Sequence, residues 1–245
     1  MKQNKALEKD KWRELTFSKF RPLKKINDNK YAIPKRLCEI LNNNELHCSS
    51  FEDFNDIDEC RYSYFTNSNS ENIINAIKLQ KMTKNICSFS KACKKKEWDL
   101  MWTHYANSHK GVRIDFKINP SYQGEIYQVQ YGNLPTYEIN EIEANLPTIM
   151  TTKKYCFNYE REYRAICEGC KKLPIEIKKI TLGRGISTKQ WSKDIENGEF
   201  ENKILEIATK ILEASTTKNI EIFAYKSIYS NKPQKIENLL LGGIY

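Results

Sequence analysis

The stretch YCFNYEREYRAIC, Tyr155 to Cys167, is the part of the chain on which the other motifs depend. Its alternation predicts a β-strand in which Glu160, Glu162 and Arg164 share one face. Two carboxylates beside a guanidinium can line a cleft and stabilise a developing positive charge. They can also form ion pairs on a charged strand face. The residues alone leave both interpretations open.

The composition limits the class of protein. The chain has 245 residues, and 40 Lys and Arg against 31 Asp and Glu give a net charge of +9. This balance favours an anionic partner: nucleic acid, a phosphorylated cofactor or an acidic protein. The charged N-terminus lacks the apolar core of a signal peptide, and no apolar run approaches the roughly 20 residues of a membrane span. We therefore expect a cytoplasmic protein with no membrane partner.

The cysteines are expected to be reduced structural thiols. There are eight, and without a secretory signal they favour free thiols over disulfides. Cys167 and Cys170 form a single C-x-x-C pair, and a second tight pair that would complete a zinc site is missing. The sequence therefore predicts no metal site.

Apolar periodicity predicts an α+β fold. Strands are expected at residues 15–20, 85–90, 111–118, 125–132, 175–183 and 219–228, and helices at 34–44, 71–82, 97–109, 187–197 and 199–215. Gly111, just past the helix at 97–109, lies where a left-handed helix cap would need a glycine. Apolar spacing predicts two inward helix faces, one at Ile73, Ile74, Ile77 and Met82 and the other at Ile204, Ile207, Ala208, Ile211 and Leu212. The two element types are interspersed without a regular β-α-β repeat. We predict a charged leader at 1–12 and a single α+β domain at 13–245, with a split mixed or antiparallel sheet and flanking helices.

Six segments carry a family resemblance. In chain order they are FSKFR (17–21), FEDFNDIDE (51–59), CSFS (87–90), LMWTHYANSHKGVRIDF (100–116), FNYEREYR (157–164) and ITLGRGIS (180–187). Together they resemble the bacterial family catalogued as domain of unknown function 2971, over about residues 15–230. The family's acidic loop has a proline where this chain has Ile57. The resemblance implies a shared fold and a cytoplasmic bacterial setting, and the family name states no activity.

A second resemblance concerns three short motifs in order along the chain. Arg21 ends the first predicted strand, Ser88 and Ser90 form a Ser-x-Ser strand, and Glu160 and Glu162 form a Glu-x-Glu strand. This order is similar to the arginine, serine, glutamate pattern of ADP-ribosyltransferases. The resemblance implies a compact, split-sheet α+β fold that uses NAD as a substrate.

The same resemblance implies catalytic roles. Breaking the nicotinamide–ribose bond of NAD develops an oxocarbenium-like cation, as glycoside cleavage does. Glu162 would stabilise this cation electrostatically, and Glu160 would orient or deprotonate the acceptor.

It also implies an NAD-binding set. Arg21 would hold a phosphate or ribose oxygen, and Ser88 or Ser90 would brace the site. Trp102 or Tyr105 would stack on the nicotinamide ring, with His104 beside them.

The expected function is therefore an NAD-dependent ADP-ribosyltransferase-like effector, a toxin or a phage-defence component. Its acceptor would be a protein or a nucleic acid, and the basic run Lys91–Lys96 favours RNA or DNA. A toxic activity would imply an inhibitory partner protein. Two alternatives stay open: a non-catalytic domain that binds nucleic acid or protein, and a magnesium-dependent nuclease. The nuclease would use four acidic ligands: Asp56, Glu59, Glu160 and Glu162.

Overall fold

A computed structural model describes residues 3–27, 30–53, 60–65, 70–91, 95–187, 199–217, 220–225, 229 and 232–236. Within them the α-helices are α1 (Lys9–Arg13), α2 (Lys35–Asn43), α3 (Ser70–Thr83), α4 (Lys95–Tyr105), α5 (Leu146–Met150) and α6 (Glu199–Glu213). Short 3-10 helices lie at Phe51–Asp53, Ile139–Glu141, Tyr155–Glu160 and Arg184–Ser187.

The strands follow in chain order. They are β1 (Phe17–Pro22), β2 (Lys24–Asn27), β3 (Lys30–Ala32), β4 (Glu45–His47), β5 (Ser49–Ser50), β6 (Ser63–Tyr64), β7 (Lys84–Lys91), β8 (Gly111–Ile118), β9 (Glu125–Gln128), β10 (Gln130–Tyr131), β11 (Thr136–Tyr137), β12 (Thr152–Lys153), β13 (Glu162–Glu168), β14 (Lys172–Leu182), β15 (Glu221–Ala224) and β16 (Gln234–Lys235). Most described pairs are antiparallel, and three are parallel: β6 with β11, β10 with β12, and β14 with β15. The predicted α+β class with a mixed, mostly antiparallel sheet is confirmed.

The chain divides into two compact units. The first comprises residues 1–15, 46–91 and 118–174, and the second comprises 16–45, 92–117 and 175–245. The division into a leader at 1–12 and one domain at 13–245 stays a prediction.

In the first unit, one run of four strands follows the order β5, β7, β13, β9, and all its pairs are antiparallel. β13 is central, and its residues Glu162 to Cys167 are all buried. An apolar core packs against this sheet, with Ile77 of α3 and Ile149 of α5 among its members. The segment predicted as a charged leader includes α1, where buried Trp12 meets Tyr122 edge-on with ring centroids 6.2 Å apart.

In the second unit, one run of five strands follows the order β16, β15, β14, β8, β1. β1 and β8 are antiparallel, and this register places Phe17 opposite Phe116. The predicted strand at 111–118 is confirmed residue for residue, because GVRIDFKI has a nearly continuous buried pattern. In α6 the predicted apolar face is buried at Ile204, Ile207, Ala208 and Ile211, whereas Leu212 is exposed.

Two local predictions were wrong. In α3 the spacing predicted an inward face that included Ile73 and Met82, yet both are exposed and Ile77 alone of this face is buried. Gly111 was expected to be a left-handed helix cap, but it begins β8. It must be glycine for a different reason, because an added Cβ would lie 2.3 Å from the Arg21 carbonyl oxygen. The left-handed residues after α4 are the three at 107–109.

Candidate functional site

The two candidate carboxylates lie in one buried group of charges. Lys153 Nζ is 2.7 Å from Glu160 Oε2 and 3.3 Å from Glu162 Oε2. Arg164 donates from Nε to Glu162 Oε1 at 2.8 Å and from Nη2 to Oε2 at 3.3 Å. The exposed fraction of these four side chains is between 0% and 7%. We call these four residues the carboxylate cluster, and its formal charges sum to zero.

The pairing of β7 with β13 brings the predicted serines to Glu162. Ser90 lies opposite Glu162 and Ser88 lies opposite Arg164. Residues directly opposite on antiparallel strands point to the same face of the sheet, so both serines share the face of Glu162. The Ser88 hydroxyl donates a hydrogen bond to the Glu162 carboxylate. The Ser-x-Ser and Glu-x-Glu motifs therefore meet within the first unit.

The single strand predicted for 155–167 was wrong in its first half. Residues 155–160 form a 3-10 helix, Arg161 adopts a left-handed conformation with φ 42°, and β13 begins at Glu162. This turn removes Glu160 from the strand pleat. Its carboxylate still reaches the cluster, because Lys153 bridges it to Glu162.

Neighbouring elements fix the cluster from several sides. Arg164 Nη1 donates to the Met150 carbonyl at the end of α5, with a donor–acceptor distance of 2.6 Å. The Glu162 backbone N–H donates to the Tyr131 hydroxyl at 2.7 Å, and burial raises the pKa of Tyr131. The Lys153 ammonium lies 4.6 Å from the centre of the Phe157 ring. Backbone and ring groups therefore contact the cluster in addition to the ion pairs within it.

Electrostatics keep Glu162 ionised. Burial alone would raise the pKa of this carboxyl, since a charge in a low-dielectric interior is unfavourable. The positive charges of Arg164 and Lys153, with hydrogen bonds from Arg164 and Ser88, outweigh burial and hold the pKa of Glu162 well below its ordinary value. Glu162 is therefore a fixed negative charge at neutral pH.

This lowered pKa predicts acid sensitivity. A carboxyl whose folded pKa lies below its unfolded value, about 4.3, contributes stability that is complete above that value and declines as pH falls. We expect the free energy of unfolding to fall more steeply below about pH 5 in the wild type than in Glu162→Gln. Urea unfolding at pH 7, 5, 4 and 3 measures both slopes, and Glu213→Gln, exposed on α6, is the control. Equal slopes for wild type and Glu162→Gln would contradict an ionised, buried Glu162.

The other four predicted site residues lie in the second unit. Arg21 is on β1 opposite Val112. Trp102 of α4 is 1% exposed, meets Phe20 edge-on at 5.0 Å and stacks on a histidine ring. His104 and Tyr105 are exposed near the C-terminal end of α4. Their roles toward NAD stay predictions.

Sequence reasoning missed the histidine that stacks on Trp102. His109 lies 5.7 Å from the Trp102 ring with an interplanar angle of 16°, and its Nε2 is 3.9 Å from Asp99 Oδ1. Arg184 also binds Asp99, at 3.1 Å. Burial, with the charge of Arg184, lowers the pKa of His109 and favours the neutral ring.

The backbone that carries His109 is unusual. Asn107, Ser108 and His109 have φ values of 49°, 52° and 65°. Gly183 packs on this segment so closely that an added Cβ would lie 2.1 Å from the His109 carbonyl oxygen. The turn at residues 183–185, Gly-Arg-Gly, therefore packs directly against the left-handed segment at 107–109. Two glycines around an arginine were the sequence signal for this close approach.

Sequence reasoning also missed a third buried acid, which lies apart from Glu160 and Glu162 in sequence. Asp115 on β8 accepts from Ser18 Oγ at 2.6 Å and from Arg113 Nη2 at 2.9 Å, and Lys179 Nζ lies 3.4 Å away. The Arg113 guanidinium lies 4.7 Å from the Trp98 ring centre. The i, i+2 spacing of Arg113 and Asp115 on a strand was the available signal.

Several predictions fall on residues that the structure does not describe. The acidic loop with Asp56 and Glu59 lies in 54–59, and most of the basic run lies in 92–94 or in side chains at 95–97. Among the described residues, no group of three or more His, Cys, Asp or Glu side chains is arranged to hold a metal ion. None of the helices in the described part of the chain is long and apolar enough to cross a membrane.

The family comparison supports the first resemblance over part of its range. Residues 101–165 match the family described as protein of unknown function (DUF2971). This segment holds Trp102, His109, Asp115 and the whole carboxylate cluster. No curated protein matches the chain, and no solved structure matches it. The resemblance to ADP-ribosyltransferases has no support from these comparisons.

Proposed function

We propose that this protein is an NAD-dependent ADP-ribosyltransferase-like effector in which Glu162 stabilises the ribosyl cation. The observation that carries the proposal is the hydrogen bond from Ser88 to Glu162. It joins the serine strand to the glutamate strand on one face of the sheet. An ionised carboxylate braced by a serine is the group that an oxocarbenium-like transition state requires.

The carboxylates of Glu160 and Glu162 both bind the same cation, the ammonium group of Lys153. The ammonium of Lys153 binds Glu160 and Glu162 at 2.7 and 3.3 Å. A ribosyl cation in this position would meet the same two oxygens, in a water-poor site where charge interactions are strong. The proposal therefore requires Lys153 to withdraw when NAD binds. Glu160 would then be available to orient or deprotonate the acceptor.

The wider proposal concerns setting and acceptor. We place the protein in the cytoplasm as a toxin or phage-defence component, with an inhibitory partner protein if it is toxic. The net charge of +9 favours RNA or DNA as the acceptor, because neutralising phosphates supplies affinity that does not depend on sequence. A protein acceptor is the other possibility.

Transfer of label from NAD tests the proposal. Purified wild type, Glu162→Gln and Glu168→Gln are incubated with adenylate-labelled NAD and RNA, DNA or cell lysate. Glu168 is the matched control, because it is on the same strand but is exposed and pairs with Lys84 at the surface. We expect transfer by wild type and Glu168→Gln, and a loss of at least about a hundredfold in Glu162→Gln. Circular dichroism confirms that each variant is folded, and transfer that survives in folded Glu162→Gln would contradict the proposal.

One observation favours a second candidate, a non-catalytic binding domain. Glu162 is buried and paired on both oxygens, as expected for a salt-bridge cluster that stabilises a fold. For this candidate, nucleic acid or protein binds without any consumption of NAD, and Glu162→Gln changes stability but not affinity. The label experiment, combined with a binding assay on the same samples, separates the two candidates.

A further inference from the structure

The first unit contains a cavity of about 760 Å³ that the proposed transferase chemistry does not use. Its described lining residues all belong to this unit, and they do not include the four residues of the carboxylate cluster. The volume lies in the range of cavities that hold small organic molecules, and it is far larger than the voids that ordinary packing leaves. The cavity is therefore a candidate binding site that is separate from the cluster.

Strand pairing explains how the cavity is built. Glu125 of β9 lies directly opposite Ile166 of β13. Lys84 of β7 lies directly opposite Glu168 at the end of β13. Opposite residues of an antiparallel pair point to the same face of the sheet, and so do residues two apart on one strand, which adds Tyr127 to this face. All five residues line the cavity, so the strand register and the cavity wall agree.

The inner part of the wall is apolar. The sheet contributes Ile166 and the ring of Tyr127, and α5 contributes Leu146 and Met150, all of which are buried. Pro147 of the same helix also lines the cavity. Such a wall binds a hydrocarbon ring or chain, because burying apolar surface is favourable in proportion to the area removed from water.

The outer part of the wall is acidic. Four charged side chains line the cavity, and they are those of Lys84, Glu125, Glu143 and Glu168. One is positive and three are negative, so their formal charges sum to −2. Lys84 and Glu168 form an ion pair at 2.9 Å and neutralise each other. The net charge of the wall therefore resides on Glu125 and Glu143.

These two carboxylates are bound by neutral donors. Glu125 accepts from the Tyr127 hydroxyl at 2.7 Å, and Glu143 accepts from Gln80 Nε2 at 2.6 Å. Neither carboxylate forms an ion pair with a residue that the structure describes. Both charges are therefore available to a cation from solution. Their sign is opposite to the net charge of +9 of the whole chain, so the acidic wall is a local feature rather than a result of composition.

We propose that this cavity, which we call the amine cavity, binds a small organic amine. The apolar body of the ligand packs against the buried residues of the wall, among them Ile166 and Met150. The ammonium group lies at the outer wall, where Glu125 and Glu143 supply the opposite charge. A carboxylate of the same shape would meet the same two negative charges, and a neutral ligand would gain only the apolar contacts. Charge is therefore the property that selects the ligand.

Methionine methyl NMR of the wild-type chain tests where such a ligand binds. Met150 lines the amine cavity, whereas buried Met101 belongs to the second unit and is the internal reference. The probes are phenylbutylamine, phenylbutanol and phenylbutyric acid, which share one skeleton and differ in charge. We expect the amine to shift the Met150 signal and to leave the Met101 signal unchanged. Titration should show the amine binding about fivefold more tightly than the alcohol and at least about tenfold more tightly than the acid.

A double variant tests the role of the two charges. In Glu125→Gln with Glu143→Gln, we expect the amine to bind no more tightly than the alcohol, and the alcohol to bind as it does to wild type. The control is Glu52→Gln with Asp53→Asn. It removes the same number of charges from exposed residues of the first unit that do not line the cavity, and it should keep the preference for the amine.

Four results would overturn this proposal. The amine could shift Met101 as much as Met150, or it could shift neither signal up to its solubility limit. The acid could bind as tightly as the amine, or the preference for the amine could survive in the double variant at Glu125 and Glu143, with circular dichroism confirming that this variant is folded. None of these measurements involves NAD, so they are independent of the transferase proposal.

Discussion

Replacing Arg164 with methionine is expected to lower the free energy of unfolding by about 3–5 kcal/mol. Arg164 is fully buried, and it pairs with both oxygens of Glu162 and with the Met150 carbonyl. Methionine keeps much of the volume but leaves Glu162 with one cation fewer in a buried site. Removing one partner of a buried ion pair is costly chiefly because the other charge stays buried. Urea unfolding followed by circular dichroism measures the loss.

A surface pair is the control for this effect. Lys84 and Glu168 lie 2.9 Å apart at the opposite end of the β7–β13 pair and are partly exposed. Lys84→Met should cost about 1 kcal/mol or less, because water replaces the lost partner. In the double variant Arg164→Met with Glu162→Gln, the loss should be smaller than the sum of the two single losses, since no unpaired carboxylate remains. A cost for Arg164→Met no larger than that for Lys84→Met would show that the cluster does not hold charges in a dry interior.

Replacing Trp102 with alanine is the second large expected effect, a loss of about 3–5 kcal/mol. Its ring is 1% exposed and lies between Phe20 and His109, so its removal leaves a cavity that a rigid core fills poorly. The left-handed segment at 107–109 would also lose the ring against which its histidine packs. Thermal and urea unfolding both report the change.

Tyr105 is the matched control for Trp102. It lies on α4 three residues later and is 38% exposed. Tyr105→Ala should cost about 1 kcal/mol or less, because its ring leaves water only in part. Similar costs for the two alanine variants would contradict the assignment of Trp102 to the core.

Local patterns predicted the parts of the fold that depend on near neighbours. The apolar spacing of α6 and the sequence GVRIDFKI predicted a buried face and a strand, because side-chain direction follows directly from helix and strand periodicity. The i, i+2 relation of Glu162 and Arg164 was predicted for the same reason. The buried face of α3 was not predicted correctly, because the apolar spacing of this helix does not determine which of its sides packs against the core.

Contacts between distant residues could not be predicted in this way. Lys153 joins the carboxylate cluster only because β12 pairs with β10 and the chain turns at Arg161. No local pattern marks that lysine among the 40 basic residues of the chain. Ser18 and Asp115 are likewise far apart in sequence and meet through folding. A single sequence shows the spacing of residues along the chain but not which distant residues come into contact. Glu160 and Glu162 could therefore be predicted as candidates, whereas their partner Lys153 could not.

Release of nicotinamide from NAD is the most direct test of the central claim that Glu162 stabilises a ribosyl cation. Nicotinamide is released both when ADP-ribose is transferred to an acceptor and when NAD is hydrolysed, so this measurement requires no knowledge of the acceptor. With lysate, RNA and DNA each supplied, we predict release by wild type and Glu168→Gln and a loss of at least about a hundredfold in folded Glu162→Gln. No release by folded wild type under any of these conditions, or equal release by Glu162→Gln, would contradict the account.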